Sequence, residues 1–389
     1  MLQFENTKVA FADKSNSYLK KAKFIFRMVA SPRLVKVGSS LLRFAILIRF
    51  PVKWMVKPTI FSHFCGGETI SECESSIGNL SNSNIKSILD YSAEGLQNEK
   101  SFDKTTEIIL SIIKKASVDV RISQAVFKPT GIARFKLLEK VNNNQSLTLN
   151  EADEFQRVQI RFAKICDYAA KHNVALMIDA EESWIQNTID RLVENEMMKH
   201  NKTRPLIYNT VQLYRKDRLK YMTEFSKKAF DSGYFAAFKL VRGAYLEKEN
   251  DRAEDLNYDT PIHTSKRDTD TDFDKAIKFC IDNIDRMAVC IGTHNEDSVR
   301  YAVSYMELKN IPKDNKNVYF AQLYGMSDNI SYNLAAEGYN VSKYVPYGPV
   351  KLVLPYLIRR AEENTSVAGQ TSRELELIQK EIMRRRAKS

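Results

Sequence analysis

Eight short runs of β-forming residues, separated by helical patterns, constrain this chain more than any other feature. Intervening stretches such as EADEFQRVQIRFAKICDYAAKH have the spacing of amphipathic helices. Strands that alternate with helices form parallel βαβ units, and eight units close a (β/α)₈ TIM-like barrel of about 250 residues. The runs are SILDYSAE (87–94), QAVFKPT (124–130), ALMIDAE (175–181), LIYNTVQ (206–212), FAAFKLVRGAY (235–245), AVCIGTH (288–294), VYFAQLYG (318–325) and VSKYVPYG (341–348). An open doubly wound sheet is the alternative, but the glycine-rich turn that usually follows its first strand is missing from this sequence.

Polar residues stand at or near the end of every one of these runs. In a (β/α)₈ barrel the carboxyl ends of the strands surround one mouth, where the chemistry takes place. The sequence therefore predicts a ring of polar side chains around that mouth. Its members are Glu94, Lys128, Asp179, Gln212, Lys239 with Arg242, His294, Gln322 and Tyr344.

The segment YLIRRAEEN near the C-terminus would place Tyr356, Arg359, Arg360 and Glu363 on one face of a helix. A solvated surface with an intrahelical Arg–Glu pair is the simplest interpretation, and such pairs are weak. However, Pro355 predicts a kink or a fresh helical start, which would let this final helix lean over the barrel mouth. We then expect the two arginines to face an anion inside the barrel.

Two groups of candidate ligand-binding residues follow from this arrangement. Lys128, Arg359 and Arg360 suit one carboxylate, because the planar guanidinium can engage both of its oxygens. Apolar and aromatic residues around them predict a pocket for a small, largely apolar acid, namely Tyr344, Tyr347, Tyr356, Leu323 and Ala244. A second, basic group could hold a diphosphate-containing cofactor without a glycine-rich loop, namely Lys239, Arg242, Thr264 and His294.

The net charge of +11 resembles that of a nucleic-acid-binding protein, but its distribution argues against that class. Residues 1–58 contain twelve Lys or Arg and only two acids, whereas the rest of the chain has 47 basic and 46 acidic residues. The basic arm alternates its cations with Phe, Leu, Ile and Trp54, a pattern that suits a helix lying on an anionic membrane surface. Packing of the arm on the body is the equal alternative, and a mitochondrial presequence stays open.

Cysteine and histidine usage argues against a metal site and against disulfides. The five cysteines are scattered, no pair has metal-ligand spacing, and the five histidines occur singly. Free thiols and a reducing compartment are therefore expected, with no metal.

Several motifs together resemble those of proline dehydrogenase, an FAD-dependent family with a (β/α)₈ barrel. They are FKLVRGAYLEKE, MIDAEESW, GTHNEDSV, FAQLYGMSDN, and YVPYG with YLIRRAEEN, and the match runs from about Phe61 to Val367. The resemblance implies oxidation of L-proline to Δ1-pyrroline-5-carboxylate by hydride transfer to FAD, with electrons passed on to membrane quinone. It also implies a cytoplasmic protein, peripheral on the inner face of the membrane, or a mitochondrial one in a eukaryote.

The resemblance assigns roles position by position. It implies a clamp on the proline carboxylate at Lys128, Arg359 and Arg360, supported by Asp179. It implies walls around the proline ring at Ala244, Leu323, Tyr344 and Tyr356. It implies flavin contacts at Gln212, Lys239, Arg242, Thr264, His294 and Glu363, with Glu94 near the flavin edge. Many bacterial members read Arg-Leu-Val-Lys where this chain reads Lys239-Leu-Val-Arg242, so which cation approaches the redox nitrogen stays open.

We accordingly divide the chain into a basic helical arm (1–85), an FAD-binding barrel (86–367) and a charged helical tail (368–389). Bifunctional members of the family carry a further dehydrogenase domain that 389 residues cannot hold, so a separate pyrroline-5-carboxylate dehydrogenase is expected to take the product. Three alternatives remain. One is an aldolase-type barrel with Lys128 or Lys239 as a Schiff-base amine. The second is a scaffold that binds nucleic acid or membrane. The third is a hydroxyproline dehydrogenase, whose members tend to have a smaller residue at the position of Tyr344.

Overall fold

Eight parallel strands form a closed barrel in chain order. The computed structural model describes residues 3–48, 51–92, 97–366 and 370–387, without the side chains of residues 43, 45–47, 362–366 and 370–371. The prediction of a (β/α)₈ barrel is confirmed, and the open doubly wound sheet is excluded. The strands are β1 (Ile85–Tyr91), β2 (Ile122–Phe127), β3 (Ala175–Ile178), β4 (Ile207–Gln212), β5 (Ala236–Val241), β6 (Met287–Gly292), β7 (Val318–Leu323) and β8 (Val341–Tyr347).

Helices precede, separate and follow these strands. Before β1 lie α1 (Thr7–Ala10), α2 (Asn16–Val29), α3 (Pro32–Leu47), α4 (Lys53–Val56), α5 (Ser62–Phe64) and α6 (Glu74–Ser81). Between strands lie α7 (Glu99–Val118), α8 (Phe135–Asn142), α9 (Leu149–Lys171), α10 (Ser183–His200), α11 (Arg218–Asp231), α12 (Leu246–Asp255), α13 (Lys266–Asp282), α14 (Glu296–Leu308) and α15 (Asp328–Ala336). After β8 come α16 (Val350–Ser366) and α17 (Gln370–Arg386).

Local sequence signals explain where several helices begin. Asn98, Ser265 and Asn295 each precede a helix, and each side chain accepts a hydrogen bond from a backbone N–H of the first turn. Helix α9 begins with a capping box, in which Thr148 and Glu151 each bond the other's backbone N–H. Each cap fixes the residue at which its helix begins, and therefore also fixes where the preceding loop ends.

Strand register decides which loop residues become neighbours. Strands β2 and β3 are parallel, with Gln124 opposite Ala175 and Phe127 opposite Ile178. The residues that directly follow the two strands are Lys128, after β2, and Asp179, after β3. Because side chains of a strand alternate between its two faces, residues two apart beyond these ends are expected to point the same way.

The chain separates into two compact units, one formed by Met1–Glu94 with Gln322–Ser389 and the other by Gly95–Ala321. In the first unit the N-terminal arm and the C-terminal tail pack together. Phe11, Leu19 and Phe26 are buried in one apolar cluster with Leu377 and Ile378. The tail, which the sequence left unplaced, is thus part of a core, whereas the division at residues 85 and 367 stays a prediction.

A buried polar network adds to this packing in the first unit. The fully buried Lys343 of β8 places its Nζ 2.8 Å from Asp328 Oδ1. Lys14, in the turn between α1 and α2, lies 3.8 Å from the same carboxyl group, and the Ser327 backbone N–H donates to Glu374 of α17. Removing one member of such a network would leave a buried charge without compensation, which is strongly destabilising.

Two further sequence expectations can be compared with the structure. All five cysteines are buried and free, as their scattered positions predict. Within the described ranges, no helix is both long enough and apolar enough to cross a membrane.

Candidate active site

Asp179 lies between two lysines in the second unit. Lys128 Nζ, just after β2, donates to Asp179 Oδ2 at 2.9 Å, and Lys239 Nζ, within β5, donates to Oδ1. Burial alone would raise the pKa of Asp179, but the two ammonium groups outweigh it and hold this pKa below its usual value. The cluster is therefore a buried carboxylate with two cations, which leaves one net positive charge near the strand ends.

A second contact of the same kind lies two residues further along both loops. The Thr130 backbone N–H donates to Glu181 Oε1 at 2.8 Å, and its hydroxyl donates to Oε2. Burial, with the neighbouring charge of Glu182, raises the pKa of Glu181 to about 8. Glu181 is not among the site residues predicted from the sequence. Its signal was the spacing of two from Asp179, which keeps it on the same side of the chain.

Gln212 connects the β3 end to the loop after β5. Its Nε2 donates to the Glu181 carbonyl at 2.7 Å, and its Oε1 accepts from the Ala244 backbone N–H at 3.3 Å. The structure therefore brings together Gln212 and Ala244, which the sequence assigned to cofactor and substrate respectively. Gly243 has φ +143°, and an added Cβ would lie 2.4 Å from the Tyr214 ring, so the position requires glycine.

Arg242 is held in one orientation by its neighbours. Its guanidinium donates to Asp270 at 2.8 Å, to the Thr293 hydroxyl and to Ser298 Oγ at 3.0 Å, and stacks 4.4 Å from the Phe273 ring. The side chain remains 22% exposed, so an anion can still approach it. His294 follows Thr293 directly after β6 and is partly exposed.

The loop before α13 carries the remaining candidate of this unit, Thr264. Its side chain is exposed. The preceding residue, His263, is tied down, because its Nε2 lies 2.9 Å from Asp272 Oδ2. Thr264 is therefore accessible at the start of a helix whose N-cap is Ser265.

The first unit contains the aromatic and arginine candidates. Tyr344 of β8 and Tyr356 of α16 are 8% and 5% exposed. Leu323, at the end of β7, packs on the apolar cluster that includes Tyr356, and the Arg360 guanidinium lies 5.8 Å from the Tyr356 ring centre. Arg359 and Arg360 are both partly buried, and Pro355 lies within α16. The Glu363 side chain and the whole of Glu94 lie outside the described residues.

One group in the described part of the chain has metal-ligand character, although the sequence gave no metal spacing. His200 Nε2 lies 2.9 Å from Asp167 Oδ1 and 3.2 Å from Glu196 Oε2. Lys199 also donates to Asp167 Oδ1, at 2.5 Å. Asp167 belongs to α9, whereas Glu196 and His200 are one turn apart on α10, and the Lys199–Asp167 ion pair joins the two helices.

Comparison with known proteins gives a consistent result. A family model described as proline dehydrogenase matches residues 73–373. The carbapenem antibiotics biosynthesis protein CarD of Pectobacterium carotovorum subsp. carotovorum is 35% identical over 324 residues, which are 83% of this chain and 84% of that protein. Proline dehydrogenase 1, mitochondrial, of Dictyostelium discoideum is 32% identical over 381 residues, 86% of this chain and 66% of that protein. A hydroxyproline dehydrogenase of Xenopus laevis is 28% identical over 412 residues, 96% of this chain and 88% of that protein.

Among solved structures, the chain resembles proline utilization A from Bdellovibrio bacteriovorus, crystallised after inactivation by N-propargylglycine. The TM-score is 0.74 with 19% sequence identity, and the match covers 95% of this chain. The chain spans 40% of the length of that protein. At this identity the likeness supports the fold alone.

Proposed function

Because this chain belongs to the proline dehydrogenase family, we propose that it oxidises L-proline to Δ1-pyrroline-5-carboxylate, with FAD as hydride acceptor and a membrane quinone as the final acceptor. The family predicted from the motifs is confirmed, and the family supports oxidation of proline. The observation that best supports the finer proposal is the contact of Lys128 with Asp179 at the strand ends. It presents an oriented cation where a barrel enzyme binds its substrate.

The proposed substrate site clamps the carboxylate at three cations, Lys128, Arg359 and Arg360. Two guanidinium groups and one ammonium group fix both position and orientation of a carboxylate. Tyr344, Tyr356, Leu323 and Ala244 would then enclose the apolar ring. Binding the carboxylate and the ring in this way would fix the orientation of the ring carbon next to the nitrogen. Such orientation raises the reaction rate through a proximity effect.

The donor set of this chain fits a flavin dinucleotide. Bound FAD would supply the hydride-accepting chemistry. Arg242, partly exposed and already oriented by Asp270 and Ser298, suits a diphosphate. We propose Thr264, exposed before α13, and His294, after β6, as further polar contacts of the cofactor. Gln212 and Lys239 lie on neighbouring strands and suit the polar edge of the ring system. We propose Glu94 and Glu363 as further cofactor contacts from the sequence resemblance alone.

Partners and location follow from the proposed acceptor. A quinone resides in the bilayer, so the protein should contact an anionic membrane surface through its basic arm. The enzyme would be peripheral on the inner face of the membrane, or mitochondrial in a eukaryote, where its Dictyostelium relative is described as mitochondrial. The product would pass to a separate pyrroline-5-carboxylate dehydrogenase.

A second candidate is oxidation of hydroxyproline, since a hydroxyproline dehydrogenase aligns with 96% of this chain. The bulk of Tyr344 should crowd a ring hydroxyl and so favours proline. The aldolase alternative is weaker, because a Schiff-base lysine must be a neutral amine. Here Lys128 and Lys239 are both ion-paired to Asp179.

The visible absorption spectrum of the purified protein tests the proposal. Flavin bands that bleach anaerobically on addition of L-proline, and recover on addition of a soluble quinone, are the expected result. A colourless protein that borohydride traps with a carbonyl substrate would instead establish the aldolase alternative. Faster bleaching by hydroxyproline than by proline would overturn the choice of substrate.

A further inference from the structure

An apolar stripe on α3 stays exposed on the surface of the first unit. Of the nineteen large hydrophobic residues that are clearly exposed in the described chain, nine lie between residues 24 and 55. Five of them recur at the spacing of one helical face and are 56–63% exposed. We name this stripe, with the two exposed residues of α4, the α3 face: Leu34, Val37, Leu41, Phe44, Ile48, Trp54 and Met55.

The opposite side of α3 packs on the protein. Val35 and Ser39 are buried, and Leu42 packs on a cluster that contains Ile25, Val29 and Leu354. The helix therefore lies flat against its own unit and presents the α3 face outward. An apolar strip of this kind is unusual on a monomeric protein and indicates an interaction site.

The charge around the α3 face selects its partner. From residue 14 to residue 67 the sequence has eleven Lys or Arg and no Asp or Glu. Arg33 and Lys36 are exposed on α3 and Arg27 is exposed on α2, whereas Lys53 of α4 is exposed but pairs with Glu68 at 2.8 Å. Anionic lipid headgroups complement this charge, whereas a second copy of the same surface would be repelled.

We propose that the α3 face docks on an anionic lipid bilayer, with its apolar side chains at the boundary between headgroups and acyl chains. This geometry is that of an interfacial amphipathic helix. Docking would serve to deliver electrons to quinone, and that purpose rests on the proposed function. Lipid binding itself does not.

The buried half of the arm has a different role, because α1 and α2 pack on α17 and belong to the core. Deleting residues 1–58 would therefore destroy packing, and point variants are the sharper test.

The test is cosedimentation of the full chain with phosphatidylcholine vesicles, with or without phosphatidylglycerol. The test variant carries Val37→Glu with Leu41→Glu. The matched control carries Val118→Glu with Val120→Glu, two residues that are 75% and 85% exposed outside this face. Wild type and control should bind the vesicles that contain phosphatidylglycerol, and the affinity of the test variant for them should be lower by a factor of about ten or more. Proline oxidation with a soluble dye should be equal in all three.

Two results would overturn the docking proposal. One is equal vesicle binding by the test variant and the control. The other is that the wild type forms a dimer in lipid-free solution and that the variant with Val37→Glu and Leu41→Glu is a monomer. That result would assign the α3 face to contact with a second copy of the chain. A wild type that binds vesicles but never oxidises proline would contradict the proposed function and leave the docking proposal standing.

Independently, the geometry of the β2 and β3 loops points to a positioning role for Glu181. The backbone ladder of the two strands ends with Phe127 opposite Ile178. Beyond it, side chains continue the pairing, first Lys128 with Asp179 and then Thr130 with Glu181. Both Glu181 oxygens are engaged by Thr130, so this carboxyl group fixes the loop that carries Lys128.

We infer that Glu181 is a positioning residue that holds Lys128 in place for the substrate carboxylate, an inference that rests on the proposed function. Glu181 is only 4% exposed, and burial of a carboxyl group is costly unless it is hydrogen-bonded. Glutamine could keep both contacts, because its oxygen accepts from the Thr130 N–H and its amide N–H can donate to the hydroxyl. Alanine could keep neither.

The expected result separates positioning from folding. Glu181→Ala should raise the KM for proline about tenfold or more with unchanged flavin content, while Glu181→Gln stays near wild type. Thr130→Val, which keeps the backbone contact and loses only the hydroxyl contact, should raise the KM less than Glu181→Ala. The control Thr148→Val breaks a comparable Thr–Glu contact at the start of α9 and should lower stability without changing KM. A wild-type KM in Glu181→Ala, in an enzyme that still bleaches with proline, would refute the inference. If wild type itself fails to bleach, the proposed function is at fault.

Discussion

Lys128 and Asp179 follow neighbouring parallel strands and form an ion pair of 2.9 Å, although 51 residues separate them along the chain. Lys239 approaches the same carboxylate from β5. The sequence assigned these three residues to a substrate clamp, its support and a cofactor contact. Their contact makes them one electrostatic unit, so a change in Asp179 should affect both ligands.

Asp179→Asn should raise the KM for proline about tenfold or more, because the neutral amide no longer holds both ammonium groups in place. Steady-state kinetics with a soluble acceptor would measure this effect. Asp119→Asn is a suitable control, since Asp119 also contacts two cations, Lys115 and Arg121, at the opposite end of β2. An equal rise of KM in both variants would indicate general destabilisation and contradict the role given to Asp179.

Arg359→Met and Arg360→Met should each weaken proline binding by roughly 10- to 100-fold, because each removes a charged hydrogen-bond donor from the clamp. Flavin should stay bound at the wild-type ratio. Titration of the flavin spectrum with a non-reactive carboxylate analogue measures the affinity. Arg373→Met is the control, since Arg373 of α17 pairs with Glu5 at 2.7 Å. Wild-type affinity in either α16 variant would exclude that arginine from the clamp.

Tyr344→Ser should shift the preference from proline towards hydroxyproline by about tenfold in the ratio of kcat/KM values. The physical reason is space, since the tyrosine ring would occupy the volume that a ring hydroxyl needs. Tyr319→Ser, on the neighbouring strand β7, controls for loss of an aromatic group from the barrel. An unchanged ratio in Tyr344→Ser would count against crowding as the source of selectivity.

The barrel itself was predictable because its signal is local. Each strand is a short β-forming run, such as LIYNTVQ, and β4 within it is buried along its whole length. Buried parallel strands read as continuous apolar segments, which periodicity and length can identify. Strand order then placed Lys128, Asp179 and Gln212 at one end without knowledge of any side-chain contact.

The side-chain partners were less predictable, because they depend on long-range geometry. Lys239 lies within β5 rather than at its end, and only the barrel interior brings it to Asp179. Packing of Phe26 with Leu377 joins residues about 350 positions apart, so the sequence could not decide whether the tail docks. Local patterns carry no information about such pairs, which form only when the chain closes on itself.

Glu374 should make the stability of the protein depend on pH. Burial, with the nearby charge of Asp328, raises the pKa of Glu374 to about 7, whereas an unfolded glutamate titrates near its ordinary value of about 4.3. The folded state thus holds its proton more tightly. The stability gained from this proton is complete below the unfolded pKa and is lost as the pH rises through about 7.

Glu374→Gln, which mimics the protonated side chain, should therefore gain stability relative to wild type as the pH rises. We expect the difference in unfolding free energy to grow by up to about 3 kcal/mol between pH values near 5 and near 8. Urea unfolding of both proteins across this range measures it, and other titrating groups cancel in the difference. Glu376→Gln is the control, because Glu376 is exposed on the same helix. A difference that stays constant with pH, or that grows equally in the control, would contradict a raised pKa of Glu374 in the folded protein.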